Sequence, residues 1–195
     1  MIAIPGIVVG PDGKALASID DESMRPPTQI DVFVDYMCPY CRRFEHDNGA
    51  EIQELVDRDI AALVMHPVAI LDRLSNGSLY STRAAAAAYA VAAGAPDKFG
   101  QFNSTLFADQ PAEGSSGLSE AELENLAHSI GIEPVVARTF ADNAFLTTVA
   151  RDTQAAIDIG LQGTPTVLLT GHDRHTFQWD GTASIAESLG SLAAR

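Results

Sequence analysis

A chain of 195 residues with 46% hydrophobic content is long enough for one domain, or one domain with an insertion, to bury most of its apolar surface, which excludes a disordered polypeptide. Twenty-six acidic residues against twelve basic ones leave a formal net charge of −14, which repels phosphate backbones and excludes nucleic acid as an expected partner. The first ten residues carry no basic start and no sustained apolar run, so the expectation is a soluble chain without a signal peptide or transmembrane helix as written.

Residues 1–28 read as an extended arm or hairpin, with apolar Ile7-Val8-Val9, a Pro11-Asp12-Gly13 turn and a break at Pro26-Pro27. In the β-rich run from Ile30 to Asp35, Ile30, Val32 and Val34 alternate with Asp31, Phe33 and Asp35, which predicts a core strand aimed at Cys38. A helix is expected from Pro39 to about Asp57, with proline at its first position and a kink at Gly49. Ile60 to His66 then reads as a second, buried strand, which makes 29–77 a βαβ unit with parallel strands. From 78 to 160 the strand signal disappears and the alanine-rich run Arg83 to Ala93 opens a series of helices. One is marked by Ser119 as N-cap, Glu122 three residues on, and Leu118 and Leu123 at the staple positions. Pro134 starts another, and Phe145 to Ile159 forms the last before Gly160. Residues 161–195 return to strand at Thr166 to Thr170 and His175 to Trp179, then close with a helix from about Ser184 to Ala194.

The two cysteines of the chain stand together in Cys38-Pro39-Tyr40-Cys41. Stabilising disulfides join distant segments, so this concentration favours a redox-active dithiol over a staple. If the helix begins at Pro39, Cys38 lies at its cap, where free backbone N–H groups and the positive end of the dipole favour a thiolate. Cys38 is the expected nucleophile and Cys41, one turn in and less exposed, the expected resolving residue. Arg42 and Arg43 add nearby charge but read as a solvated helix face. A metal half-site is the competing reading; zinc asks for four ligands, no second cysteine pair exists, and His46 falls roughly 140° round the helix from Cys41. His66 reads as packed or hydrogen bonded, His128 as a polar-face residue, and His172 and His175 as flanking a turn.

Together with Gln162-Gly163-Thr164-Pro165-Thr166, the segment from Val34 to Cys41 resembles the DsbA-like thioredoxin family of thiol:disulfide oxidoreductases, most of all the DsbA-type domains of actinobacteria. The likeness extends to His66-Pro67-Val68-Ala69-Ile70-Leu71-Asp72, to Tyr80-Ser81-Thr82-Arg83-Ala84-Ala85 and to Leu106-Phe107-Ala108-Asp109-Gln110-Pro111. It implies an α/β thioredoxin fold whose two core halves, 29–77 and 161–195, are separated by an all-helical insertion at 78–160. It also implies that Pro165 is a cis-proline facing the dithiol, with the Thr164 backbone offering hydrogen bonds to an extended substrate peptide. Two positions depart from the broader pattern: Val32 stands where many thioredoxin-like proteins place a buried acid, and Tyr40 where the strongest oxidases of the family place histidine. Proton transfer at Cys41 then needs water or Asp35, an acid read equally as an exposed or loop residue, and Cys38 is expected to be less acidic than in those oxidases.

The resemblance implies a monomeric enzyme that needs no cofactor, because the cysteine pair stores two electrons. Its expected partners are protein or peptide thiols and disulfides and a redox partner that resets the dithiol. Oxidation of exported proteins outside the cell membrane is the leading expectation. A cytoplasmic reductase of thioredoxin or glutaredoxin type, suggested by Cys-Pro-Tyr-Cys and by Met1 standing without an export segment, remains open, as does a peptide-binding or thiol metal-binding module.

Overall fold

The computed structural model describes residues 5–16, 28–171 and 175–193. The expected break at Pro26-Pro27 and the turn residues His172 and Asp173 lie outside these. Two short strands, β1 (Ile7–Val9) and β2 (Ala15–Leu16), pair antiparallel around the Pro11–Gly13 turn and form the expected hairpin. The hairpin is also part of the main sheet, because β1 pairs antiparallel with β4 (Ala61–Pro67). β3 (Thr28–Val34) lies parallel to β4, with Ile30 opposite Leu63 and Val32 opposite Met65. On its other side β3 pairs antiparallel with β5 (Thr166–Thr170), and β6 (Thr176–Gln178) completes a six-stranded sheet of order β2-β1-β4-β3-β5-β6.

Alternation along β3 assigns its side chains to two faces. Ile30, Val32 and Val34 join Leu63, Met65, Val167 and Leu169 in the main core, roofed by Cys41, Phe44, Ile52, Leu55 and Val56 of α1 (Pro39–Asp57) and by Ile185 and Leu189 of α7 (Ile185–Ala193). Phe33 lies in a smaller cluster on the other face, against Val68 and Ala156 of α6 (Asn143–Asp158).

The segment between the sheet halves is helical, as its composition predicts: α2 (Tyr80–Gly94), α3 (Phe99–Ala108), α4 (Glu120–Ser129), the short α5 (Pro134–Ala137) and α6. Alanines 84–88, Ala90 and Val91 are all buried, so α2 has no solvent face along that stretch and serves as the axis on which α3, α4, α5 and α6 pack. Small side chains let those neighbours approach closely. Ser119 caps α4 with a complete capping box: its hydroxyl accepts from the Glu122 N–H at 3.3 Å and the Glu122 carboxylate accepts from the Ser119 N–H at 2.7 Å.

The kink expected at Gly49 does not interrupt α1, which is continuous from Pro39 to Asp57. What the glycine provides is space. A Cβ there would stand 3.3 Å from the Glu45 carboxyl carbon, which folds back over this turn.

Candidate active site

Pro39 fixes the backbone for a helical first residue, so α1 starts at once and Cys38 becomes its N-cap, in extended conformation at φ −79° and ψ 116°. The Cys41 and Arg42 N–H groups turn back to the Cys38 carbonyl at 3.0 and 3.2 Å. Cys41 follows on the inner face of the first turn and is fully buried; Cys38 is only 4% exposed, while Tyr40 between them is 70% exposed. Both cysteines are free thiols, so this is the dithiol form.

The Thr164–Pro165 peptide bond is cis, and the loop that carries it closes over the dithiol. The Cys38 thiol donates to the Thr164 carbonyl at 3.2 Å, across 126 positions of sequence. The Thr164 hydroxyl is buried beside it without another partner. Below the loop a groove of about 570 Å³ is lined by Phe33, Ile159, Leu161, Thr164, Pro165 and Gln178, among others.

Electrostatics divide the two sulfurs. The Cys38 pKa is lowered to about 6, first because the Cys41 thiol donates to its sulfur, then by Thr164 and by the backbone N–H groups of Cys41 and Tyr40, which together outweigh the penalty of burial. Cys41 moves in the opposite direction: burial, the donated hydrogen bond and the neighbouring Cys38 charge hold its pKa well above the ordinary thiol value. Near neutral pH the pair therefore has one thiolate and one thiol.

Asp35 corrects the sequence reading. It follows β3 in the loop, but it is fully buried, because the loop folds under the helical segment rather than into solvent. Its N–H donates to Cys41 Sγ at 3.5 Å and its carbonyl accepts from the Cys38 N–H at 3.0 Å. Its carboxylate accepts from the Met37 N–H at 2.9 Å, the Leu71 N–H at 2.9 Å and the Ser81 hydroxyl at 2.7 Å. Burial raises its pKa to about 6 against those three donors. Val32, at the position where an acid is common, is buried in the apolar core.

Two supports for the dithiol come from the helical segment and carried no individual sequence signal. The Gln110 side chain donates to the carbonyls of Tyr36 at 3.1 Å and Cys38 at 3.0 Å, which ties the loop to the end of α3. Tyr36, fully buried, donates to Asn103 Oδ1 at 2.9 Å, and Asn103 in turn donates to Glu45 at 3.0 Å. Gln110 and Ser81 both fall within segments that carried the family resemblance, which was the one available pointer to them.

The remaining polar candidates lie elsewhere. Arg43 and His46 are exposed and pair with Asp47, and Arg42 is exposed. His66 is buried on the far side of the sheet, hydrogen bonded to Asp31 at 2.9 Å and stacked on Phe33, as a packed histidine should be. His128 is exposed on α4.

Comparison with known proteins agrees with this arrangement. The structure is similar to a reduced disulfide bond oxidoreductase, DsbG, from Mycobacterium tuberculosis (TM-score 0.76, 28% identity, 97% of this chain and 88% of that one). It is similar also to oxidised DsbA of the same organism (TM-score 0.77, 28% identity, 98% and 94% covered). Among curated proteins it resembles the serine/threonine-protein kinase PknE of M. tuberculosis, 32% identical over 177 residues; the match takes in 87% of this chain but only 29% of the kinase's length. The model of the DSBA-like thioredoxin domain matches residues 29–193, and the chain belongs to that family of thiol-disulfide oxidoreductases.

Proposed function

We propose that the protein oxidises thiols of exported proteins to disulfides, with Cys38 as nucleophile and Cys41 as resolving residue. The observation that carries this reading is the split between the sulfurs: a Cys38 thiol lowered to about 6 at a helix N-cap, beside a Cys41 thiol held protonated. A substrate thiolate attacks Cys38 Sγ of the oxidised protein; the Cys38–Cys41 bond breaks and Cys41 leaves with the electron pair and takes up a proton. A second substrate thiolate then attacks the substrate sulfur of the mixed disulfide and expels Cys38 as the thiolate. The substrate has lost two electrons and the protein has gained them, and a separate redox partner removes them to restore the disulfide.

A leaving group with a pKa near 6 departs readily from a mixed disulfide, which favours donation of the disulfide to substrate. The Thr164–Pro165 loop supplies the substrate-binding backbone: an incoming extended peptide takes the Thr164 carbonyl that the Cys38 thiol occupies in the dithiol form. The expected setting is outside the cytoplasmic membrane, where protein disulfides persist, and the expected state is a monomer.

The deciding experiment is the equilibrium with glutathione, together with oxidation of a reduced, unfolded protein by the wild type and by Cys38→Ser. A potential toward the value of about −120 mV known for strong oxidases, with turnover abolished in the variant, supports the proposal. A potential near the value of about −270 mV typical of thioredoxin supports the reductase reading, for which the Cys-Pro-Tyr-Cys motif is the specific observation. Absence of turnover in the wild type, with peptide binding unchanged in Cys38→Ser, supports a binding module.

A further inference from the structure

Asp35 is a buried carboxyl built against the dithiol. One peptide unit side reaches Cys41 Sγ through its N–H and the other reaches the Cys38 N–H through its carbonyl, at 3.5 and 3.0 Å. The carboxylate stands on the same residue, and all three of its donors, Met37 N–H, Leu71 N–H and the Ser81 hydroxyl, are neutral. The two cysteines meet its backbone, and the titratable groups that act on its carboxyl are Asp72 from the Asp72–Leu74 turn and Tyr80 from α2. Asp72 is acidic and hydrogen bonded to Thr82 at 2.6 and 3.0 Å, and Tyr80, fully buried, has its own pKa pushed up, so neither offers a cation.

We propose that Asp35 is a positioning residue that sets the reducing strength of the dithiol, its buried negative charge disfavouring a thiolate and thereby favouring the disulfide. The inference rests on Cys38–Cys41 being the exchanging pair. In oxidised protein there is no thiolate to repel. In reduced protein the Cys38 thiolate and the Asp35 carboxylate share one poorly solvated region, and like charges raise each other's pKa. The charge is a variable one, because burial brings Asp35 to about 6, within the range where Cys38 also ionises. The three donors hold it down against that burial, and Ser81, on the first turn of α2, is the strongest of them. The helical insertion thus contributes to the chemistry through one hydroxyl.

The test is the equilibrium constant with glutathione for wild type, Asp35→Asn and Ser81→Ala, each between pH 5 and 8. Asp35→Asn is expected to become about tenfold more oxidising at pH 7.5, which is about 30 mV for this two-electron couple. At pH 5, where wild-type Asp35 is mostly protonated, the two proteins converge. Ser81→Ala keeps the carboxyl and loses its best donor, so the pH at which wild type and variant part company moves up by about half a unit or more. An Asp35→Asn offset of the same size at both pH values, or no offset, overturns the proposal, since a merely structural role has no reason to vanish on protonation. Should Asp35→Asn fail to fold, an unmoved midpoint in Ser81→Ala overturns it equally. Wild-type protein that does not exchange with glutathione at all defeats the dithiol reading itself, and this inference with it.

Discussion

Asp31 and Asp35 are four residues apart, both buried to within 1% of full occlusion, and they do different things. Asp31 points from β3 to the sheet face away from α1, where it accepts from Gln29 at 2.9 and 3.0 Å and pairs with His66 at 2.9 Å. The His66 ring stacks on Phe33 with centroids 4.4 Å apart, so this carboxyl is part of a packed polar cluster on the sheet. Asp35 lies past the strand end, where its carboxylate accepts from Met37, Leu71 and Ser81 and its backbone meets both cysteines. Burial of a carboxyl therefore says that something must satisfy it; what it can touch decides whether it holds the sheet or tunes a thiol.

The sharpest way to break this contrast is at the sulfur itself. Cys38→Ser should reduce disulfide exchange to the uncatalysed level, while Asp31→Ala should leave the exchange rate of the folded protein within twofold; a turnover assay on both, with folding checked by circular dichroism, decides. The next effect is on stability against pH. Cys38 has a folded pKa below its unfolded value of 9.0, so its contribution to the reduced protein is complete above about pH 9 and is lost as the pH falls through about 6. Three units correspond to roughly 4 kcal/mol at most. Asp35 runs the other way: raised from 3.8 to about 6, it costs nothing below about pH 4 and destabilises increasingly as the pH rises to about 6. Urea unfolding of reduced protein should thus show a dip near pH 6 and a recovery toward pH 9, and oxidised protein, which has no Cys38 thiol, should lack the recovery. A recovery in both forms would remove the thiolate from the explanation.

On the other face of the sheet, Asp31→Ala leaves His66 and Gln29 without their acceptor in a buried setting, at an expected cost of about 3 kcal/mol. Its glutathione equilibrium should match wild type at pH 5 and at pH 7.5. A pH-dependent shift there would mean that the two carboxyls are not separable. The smallest effect is expected far from both, at the α4 cap: Ser119→Ala should cost about 1 kcal/mol and add to the Asp31→Ala loss, since the sites share no partner. Denaturant midpoints of the two single variants and the double variant measure this directly.

Much of this molecule was legible in its residues because the relevant physics is local. Proline after Cys38 dictates a helix start, a cysteine two residues later must fall on its first turn, and Ser119 with Glu122 forms a capping box from four consecutive positions. Alternation in β3 assigned Ile30, Val32 and Val34 to one face, and the alanine run marked the first helix after the second strand. Gly49 was misread as a bend because a glycine signals freedom in sequence, whereas its neighbour Glu45 uses the missing Cβ as space.

By itself the chain's sequence determined a helix-capped dithiol, the strand that leads to it and the helical character of the long segment after β4, since each depends on residues within a few positions of one another. The tertiary structure alone decided which acid lies beside the sulfurs, that Gln110 and Ser81 reach the active-site loop, and how far the two thiols part in pKa. Those contacts join positions 46, 72 and 126 residues apart, and a side chain's charge state depends on solvent that only packing removes.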